Sequence, residues 1–345
     1  MDSVFRLNDK IENALLTNQM LSSFKIAILG VGAIGGYFGG KLAAQYANSD
    51  DVEIIFIARG ENEKAIRTNG LKLITAQGEH IIRPSLVTSK PEQVGVVDFV
   101  LCCVKSYDLE TSIAPLKPCI SDKTIILPLL YGVDASERIK KLFPQANVWD
   151  GCVYIVSRLI APGVVEEKGS MNSLYFGSSR LSGTKETLQQ VETIFRTANV
   201  NARISENIVQ TLWEKFLFIS PFATLTSFLN TNIGGIMSNE QHKELLFTLL
   251  LEVKAIADAK KISLSDNVVE KTMEQFAKLP AETTSSMHSD FQKGKQTELE
   301  ALTTYVVEQG NELNVATPNY ERMLKGLGLE SYYSNHKPQT KLFTN

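Results

Sequence analysis

Hydrophobic positions along the 345-residue chain change period near residue 205. Before that point short apolar runs alternate with amphipathic stretches. Residues 26–29 are apolar, rich in isoleucine and too short for a helix, so they predict a buried parallel strand. Small and apolar residues then recur at helical spacing over 33–47, and a second apolar run, 52–58, predicts the next strand. A short helix over 61–69 is stopped by Gly70. Strands follow over 71–74 and 80–82, joined by Ala76-Gln77-Gly78, and a strongly apolar one over 98–104. Ser106 is placed to cap the next helix, which Pro115 and Pro118 end. A strand over 124–128, a helix over 134–143, a strand-rich segment over 148–176, a helix over 184–198 and a short strand near Val200 complete this half. From Ser205 onward the spacing is helical: 208–230, 239–260, 266–278, 286–293 and 298–313. The alternation predicts a doubly wound parallel sheet. The expected class is an α/β domain followed by an all-α domain.

The turn after the first strand carries the first chemical signal. Gly30, Gly32 and Gly35 spell G-x-G-x-x-G between an apolar strand and a helix, with a second strand beyond. In such a unit the first glycine permits the sharp turn, the second lets a pyrophosphate approach the backbone, and the third lets helix and strand pack closely. Ala33 and Ile34 open the helix, whose free N–H groups and dipole suit phosphate. This is a Rossmann-type dinucleotide site. A P-loop is excluded: Gly35-x4-Gly40-Lys41 is followed by Leu42 where a Mg²⁺-binding hydroxyl is needed. The second strand ends at Arg59, where an NAD site places Asp or Glu. A guanidinium suits a 2′-phosphate, so NADPH is the expected cofactor. Asp50, Asp51 and Glu53 lie at the wrong end of that strand. Lys105 and Tyr131 follow later strands, where ligands of open parallel sheets bind.

Composition narrows the class. Hydrophobic residues are 43 % and charged residues 21 %, as in ordinary globular proteins, and the net charge is −3. Without a long basic block, neither nucleic acid nor an anionic membrane is an expected partner. No apolar run reaches membrane-spanning length. Cys102, Cys103, Cys119 and Cys152 lack metal-ligand spacing and read as reduced residues of a cytoplasmic protein. His80, His242, His288 and His336 form no metal motif, so no metal is expected. Residues 1–23 lack the apolar core of a signal peptide and read as a short amphipathic helix or a disordered tail. The expected divisions are this N-terminal extension, an NADP-binding domain at 24–204 and a helical domain at 205–345.

Two stretches of the helical half stand out. Lys215 lies among aromatics in a helix that Pro221 is expected to kink. From composition alone Lys215 is an exposed residue of an amphipathic helix; held in a partly apolar cleft it would lose proton affinity and could serve as a general acid. Ser285 to Glu300 is rich in hydroxyls and charge. Its spacing reads structurally: Thr297-x-x-Glu300 as a capping box, Glu298 on the helix dipole, Ser286 and Asp290 as caps.

Together these segments resemble the ketopantoate reductase family (2-dehydropantoate 2-reductases) over nearly all of residues 24–325. The resemblance rests on Gly30-x-Gly32-x-x-Gly35, Ala58-Arg59-Gly60 with Asn69-Gly70-Leu71, Val104-Lys105-Ser106, Pro162-Gly163-Val164, Trp213-Glu214-Lys215, and Ser285-Ser286-Met287-x-x-Asp290-x7-Glu298. It implies a cleft between a Rossmann domain and a helical domain, and NADPH-dependent reduction of a branched 2-keto acid. It implies Lys215 as the general acid, Glu298 as its carboxylate partner, and Arg59 and Lys105 as cofactor contacts. Ser286 is implied to hold the substrate, with Asp290 and Tyr131 beside it, and a homodimer stays open. Two positions depart from the family pattern. Leu130-Tyr131-Gly132 stands where members carry Gln-Asn-Gly, and Ile219 stands for an asparagine four residues after the lysine. Losing two amides removes hydrogen bonds a substrate would need; Tyr131 offers instead a ring that can stack on a nicotinamide. The alternatives are a reductase of a different 2-keto or imino acid and a catalytically silent NADP(H)-binding redox sensor.

Overall fold

The computed structural model describes residues 23–178 and 185–328. The expectation for residues 1–23 therefore falls almost wholly outside the described residues.

The α/β half begins with β1 (Phe24–Leu29), α1 (Ala33–Gln45), β2 (Val52–Ile57) and α2 (Gly60–Asn69). The hairpin β3 (Leu71–Thr75) and β4 (Gly78–Ile82) follows, then β5 (Leu86–Thr88), β6 (Phe99–Cys102) and α3 (Leu109–Ile113). Next come β7 (Ile125–Pro128), α4 (Ala135–Leu142), β8 (Asn147–Val148), β9 (Asp150–Ala161), β10 (Val164–Gly177), α5 (Lys185–Thr197) and β11 (Asn201–Ile204).

Among the described residues, one sheet runs β5-β2-β1-β6-β7-β8 with every pair parallel. Alternate residues of its central strands enter two different cores. Ile26, Ile28 and Phe56 face one, while Ala27, Ile55 and Val100 face the other. Apolar residues on both faces are what double winding requires. Strand order reverses at β1 and β6, which opens a crevice beyond their C-terminal ends.

The 71–82 hairpin leaves this sheet. It joins a second, mixed sheet of order β11-β10-β3-β4, with β9 on the other edge of β10. The first half thus holds two sheets where the strand–helix alternation predicted one. Trp149 seals the junction, stacked on Phe176 at 5.8 Å between ring centroids.

The helical half comprises α6 (Ile208–Phe228), α7 (Ile233–Met237), α8 (Glu240–Ala259), α9 (Val268–Ala277) and α10 (Ser286–Gln292). A wider π turn, Glu300–Thr304, leads into α11 (Tyr305–Leu313), and α12 (Pro318–Gly326) follows. α7 and α12 were not among the expected helices. α6 is its central element: residues 220–227 are buried without interruption. A helix apolar all round belongs in a core. Pro221 lies inside it without ending it; the helix runs through for 21 residues. Ser220 donates to the Leu302 carbonyl at 2.6 Å and Thr224 bonds Thr303 at 2.7 Å. Those bonds fix the π turn against α6.

Candidate active site

The three glycines of the first turn occupy different environments. Gly30 has φ +86°, and a Cβ there would lie 2.7 Å from Val104 Cγ1. A Cβ on Gly35 would meet the Gly30 carbonyl oxygen at 2.1 Å, so α1 packs on the strand as only glycine allows. A Cβ on Gly32 would meet nothing within 4 Å. Gly32 supplies no side-chain cap to α1, and Ala33 and Ile34 begin the helix with no acidic residue in its first turn. A cleft of about 360 Å³ opens here, lined among others by Gly30, Gly32, Arg59, Asn62, Lys105 and Asp108. Donor-rich, open and glycine-floored, it fits a dinucleotide. Arg59 is exposed at the cleft rim after β2 and pairs with Asp108 at 2.5 Å. Asn62 donates to the Val31 carbonyl at 2.6 Å and accepts from the Gly163 N–H at 2.7 Å, tying this turn to the β9–β10 hairpin.

Lys215 is carried by α6 to the C-terminal edge of the parallel sheet. It shares a small enclosed space with Leu130, Tyr131, Cys152, Phe216 and Ile219. Its amine donates to the Val153 carbonyl at 2.6 Å. The amine lies 5.6 Å from the centre of the Tyr131 ring and 5.5 Å from that of Tyr154. Burial lowers its proton affinity, partly opposed by Cys152 and Glu298. It is not the solvated lysine that composition alone predicted.

Glu298 is 4 % exposed. It accepts from Lys105 Nζ at 2.7 Å and from the Ser106 N–H at 3.3 Å. Asp290 lies 3.7 Å from the same amine. Two carboxylates of the helical half thus converge on a lysine of the sheet half. Burial alone would lower the Lys105 pKa, but Glu298 and Asp290 outweigh it and the net shift is upward. Ser286 is exposed, and its hydroxyl lies 3.5 Å from the Tyr131 phenol.

A sequence model described as ketopantoate reductase PanE/ApbA matches residues 26–180, and a second, described as its C-terminal part, matches residues 207–328. The chain belongs to the ketopantoate reductase family. A 2-dehydropantoate 2-reductase of Mesorhizobium japonicum is 27 % identical, covering 87 % of this chain and 95 % of its own. The crystal structure of 2-dehydropantoate 2-reductase from Porphyromonas gingivalis W83 is 35 % identical, with a TM-score of 0.78 over 88 % of this chain and 99 % of that one. D-mandelate dehydrogenase with NADH and anilino(oxo)acetate superposes with a TM-score of 0.79 over 90 % of this chain and 99 % of its own. At 23 % identity that last likeness is one of fold. The chain is thus an oxidoreductase of the ketopantoate reductase type, acting on CH–OH groups.

Within this family member several expectations change. Glu298 is paired with Lys105 rather than with Lys215. The Thr297–Glu300 capping box is absent: the π turn has no side-chain cap. Ser285, not Ser286, caps α10, accepting from the His288 N–H at 3.0 Å. Ser106 caps nothing; its buried hydroxyl has no partner. Lys105, expected at the cofactor, both lines the cleft at the glycine turn and reaches across to the helical half. Asn62, Cys152 and Tyr154 were missed. The alternation of Cys152 and Tyr154 on one face of β9 was a legible signal, but nothing local shows which element that face meets. No helix among the described residues is long and apolar enough to cross a membrane.

Proposed function

We propose that this chain reduces the ketone of a 2-keto acid with NADPH, Lys215 acting as the general acid. The observation that supports it most is the desolvated Lys215 amine at the sheet's C-terminal edge, tethered to one carbonyl. Bound across the glycine turn, the nicotinamide would supply the hydride. Gly32 leaves room for the pyrophosphate, and the N–H groups of Ala33 and Ile34 lie at the helix end that favours it. Arg59 is the residue to grip the 2′-phosphate, which would displace Asp108 from it. Lys105 is a second cation lining the cleft. Lys215 would hydrogen-bond the carbonyl oxygen of the keto acid, stabilise the charge developing there, and give it the proton. The Ser286 hydroxyl is the group to hold the substrate, with Asp290 and the Tyr131 phenol beside it.

2-Dehydropantoate, named in the Mesorhizobium and Porphyromonas relatives, is the first substrate to test. One observation favours a second reading. Leu130, Leu212, Phe216 and Ile219 make the space around Lys215 apolar, which suits a branched keto acid without a hydroxyl. The test follows NADPH oxidation with a panel of both kinds. Turnover with one member is expected, and Lys215→Ala should lower kcat by about 10²–10⁴. An acid must be protonated to act. Activity should therefore fall as pH rises through the depressed Lys215 pKa, below the ordinary 10.5. An undiminished Lys215→Ala enzyme would end the assignment.

A further inference from the structure

We propose that Tyr154 and Tyr131 form an aromatic clamp that positions the Lys215 ammonium and holds it in the charged form, in the role otherwise left to a carboxylate. The proposal builds on the reading of Lys215 as the general acid.

The two ring centres lie 5.5 and 5.6 Å from Nζ, within the range at which a ring quadrupole attracts a cation. The clamp comes from both halves of the α/β architecture. Tyr154 belongs to β9 of the mixed sheet, and Tyr131 follows β7 of the parallel one. Between them the Val153 carbonyl takes one of the three ammonium hydrogens at 2.6 Å. Each ring is held from outside. Tyr154 meets Tyr175 edge to face at 5.9 Å and 89°, and the Tyr131 phenol faces Ser286. Among the described residues no carboxylate forms an ion pair with Lys215, because Glu298 is committed to Lys105.

Among the groups facing the amine, Glu298 acts on it through space and the two rings lie directly against it. From β9 come Cys152 and Tyr154, from the loop after β7 Tyr131, from the approach to the π turn Glu298; Glu214 on α6 itself acts on Tyr154. Burial raises the Cys152 thiol and both phenols, so all three stay neutral. The rings therefore offer π faces rather than phenolates. They oppose the desolvation that drives Lys215 toward the free amine, and their planes restrict where Nζ can sit. A ring packed only to fill space would need neither property.

The experiment follows the Lys215 Nζ resonance against pH in ¹⁵N-lysine-labelled, ligand-free protein, assigned by its loss in Lys215→Met. Tyr154→Leu and Tyr131→Leu should each lower the titration midpoint by about one unit. Tyr154→Phe and Tyr131→Phe, which keep the ring, should stay within about 0.3 unit of the parent. The alkaline limb of kcat/KM should move in step, with the Phe variants again restoring it. If Tyr154→Leu fails to fold, Tyr154→Met serves in its place. An unmoved midpoint in folded Leu or Met variants would overturn the clamp. Phe variants that behave like the Leu variants would overturn it too, assigning the effect to the hydroxyl. Absence of turnover in the parent would refute the reductase reading alone, since the Nζ titration needs no substrate.

Discussion

Gly32 and Gly35 stand three residues apart in one turn and have opposite tolerances. A methyl group at Gly35 would sit 2.1 Å from a backbone oxygen that has nowhere to go, whereas the same group at Gly32 meets nothing within 4 Å. Gly35→Ala should therefore destabilise the fold by about 3 kcal/mol or more, read as a lowered thermal midpoint. Gly32→Ala should unfold like the parent yet bind NADPH at least about tenfold more weakly by fluorescence titration, because the added group projects where the pyrophosphate would lie. The close packing at Gly35 was legible in sequence, since it is set by backbone geometry within six residues. The place of Arg59 was legible too, two residues beyond the end of β2. Its partner Asp108 was not, because no local pattern joins residues on separate loops.

At the scale of elements, periodicity located the strands and long helices because their burial is one-sided or complete along their own length. It failed where a neighbour decides the local geometry. The π turn is tied to α6 by the bond from Ser220 to the Leu302 carbonyl, and no spacing within 297–304 encodes that bond. The hairpin β3–β4 was recognised, but its sheet was not, since β10 pairs with it from some 90 residues away. α10 offers a test that belongs to this scale. Its His288 is buried, with Nδ1 on Thr284 Oγ1 at 2.5 Å and Nε2 on the Asn230 side-chain oxygen at 2.8 Å. Nε2 donates to that oxygen, and in the neutral ring Nδ1 then accepts from the threonine hydroxyl. Burial depresses its pKa below 6.5. The unfolded chain takes up the proton first, so the stability contribution is complete above about pH 6.5 and is lost as pH falls below it. Thermal midpoints should decline from pH 7 to 5, and His288→Gln should flatten that decline while lowering the midpoint at pH 7.

At the scale of the molecule, the division into a sheet half and a helical half was readable from the change of period at residue 205. The contact across the cleft was not. The resemblance paired Glu298 with Lys215, and the fold gives it to Lys105 instead. The Glu298 side chain is 5 % exposed and that of Lys105 43 %, so the pair is only half desolvated. Lys105→Met would strand a buried carboxylate on one N–H, at a cost of about 1–2 kcal/mol after discounting for solvent. Adding Glu298→Gln to Lys105→Met should recover most of the lost thermal midpoint. This bridge also bears on the order of events. The Lys105 amine, which lines the cleft, is already paired with Glu298, so seating a phosphate beside it would be an exchange of anions rather than a simple addition. Filling the groove would then begin with the opening of one ion pair rather than with a moving flap.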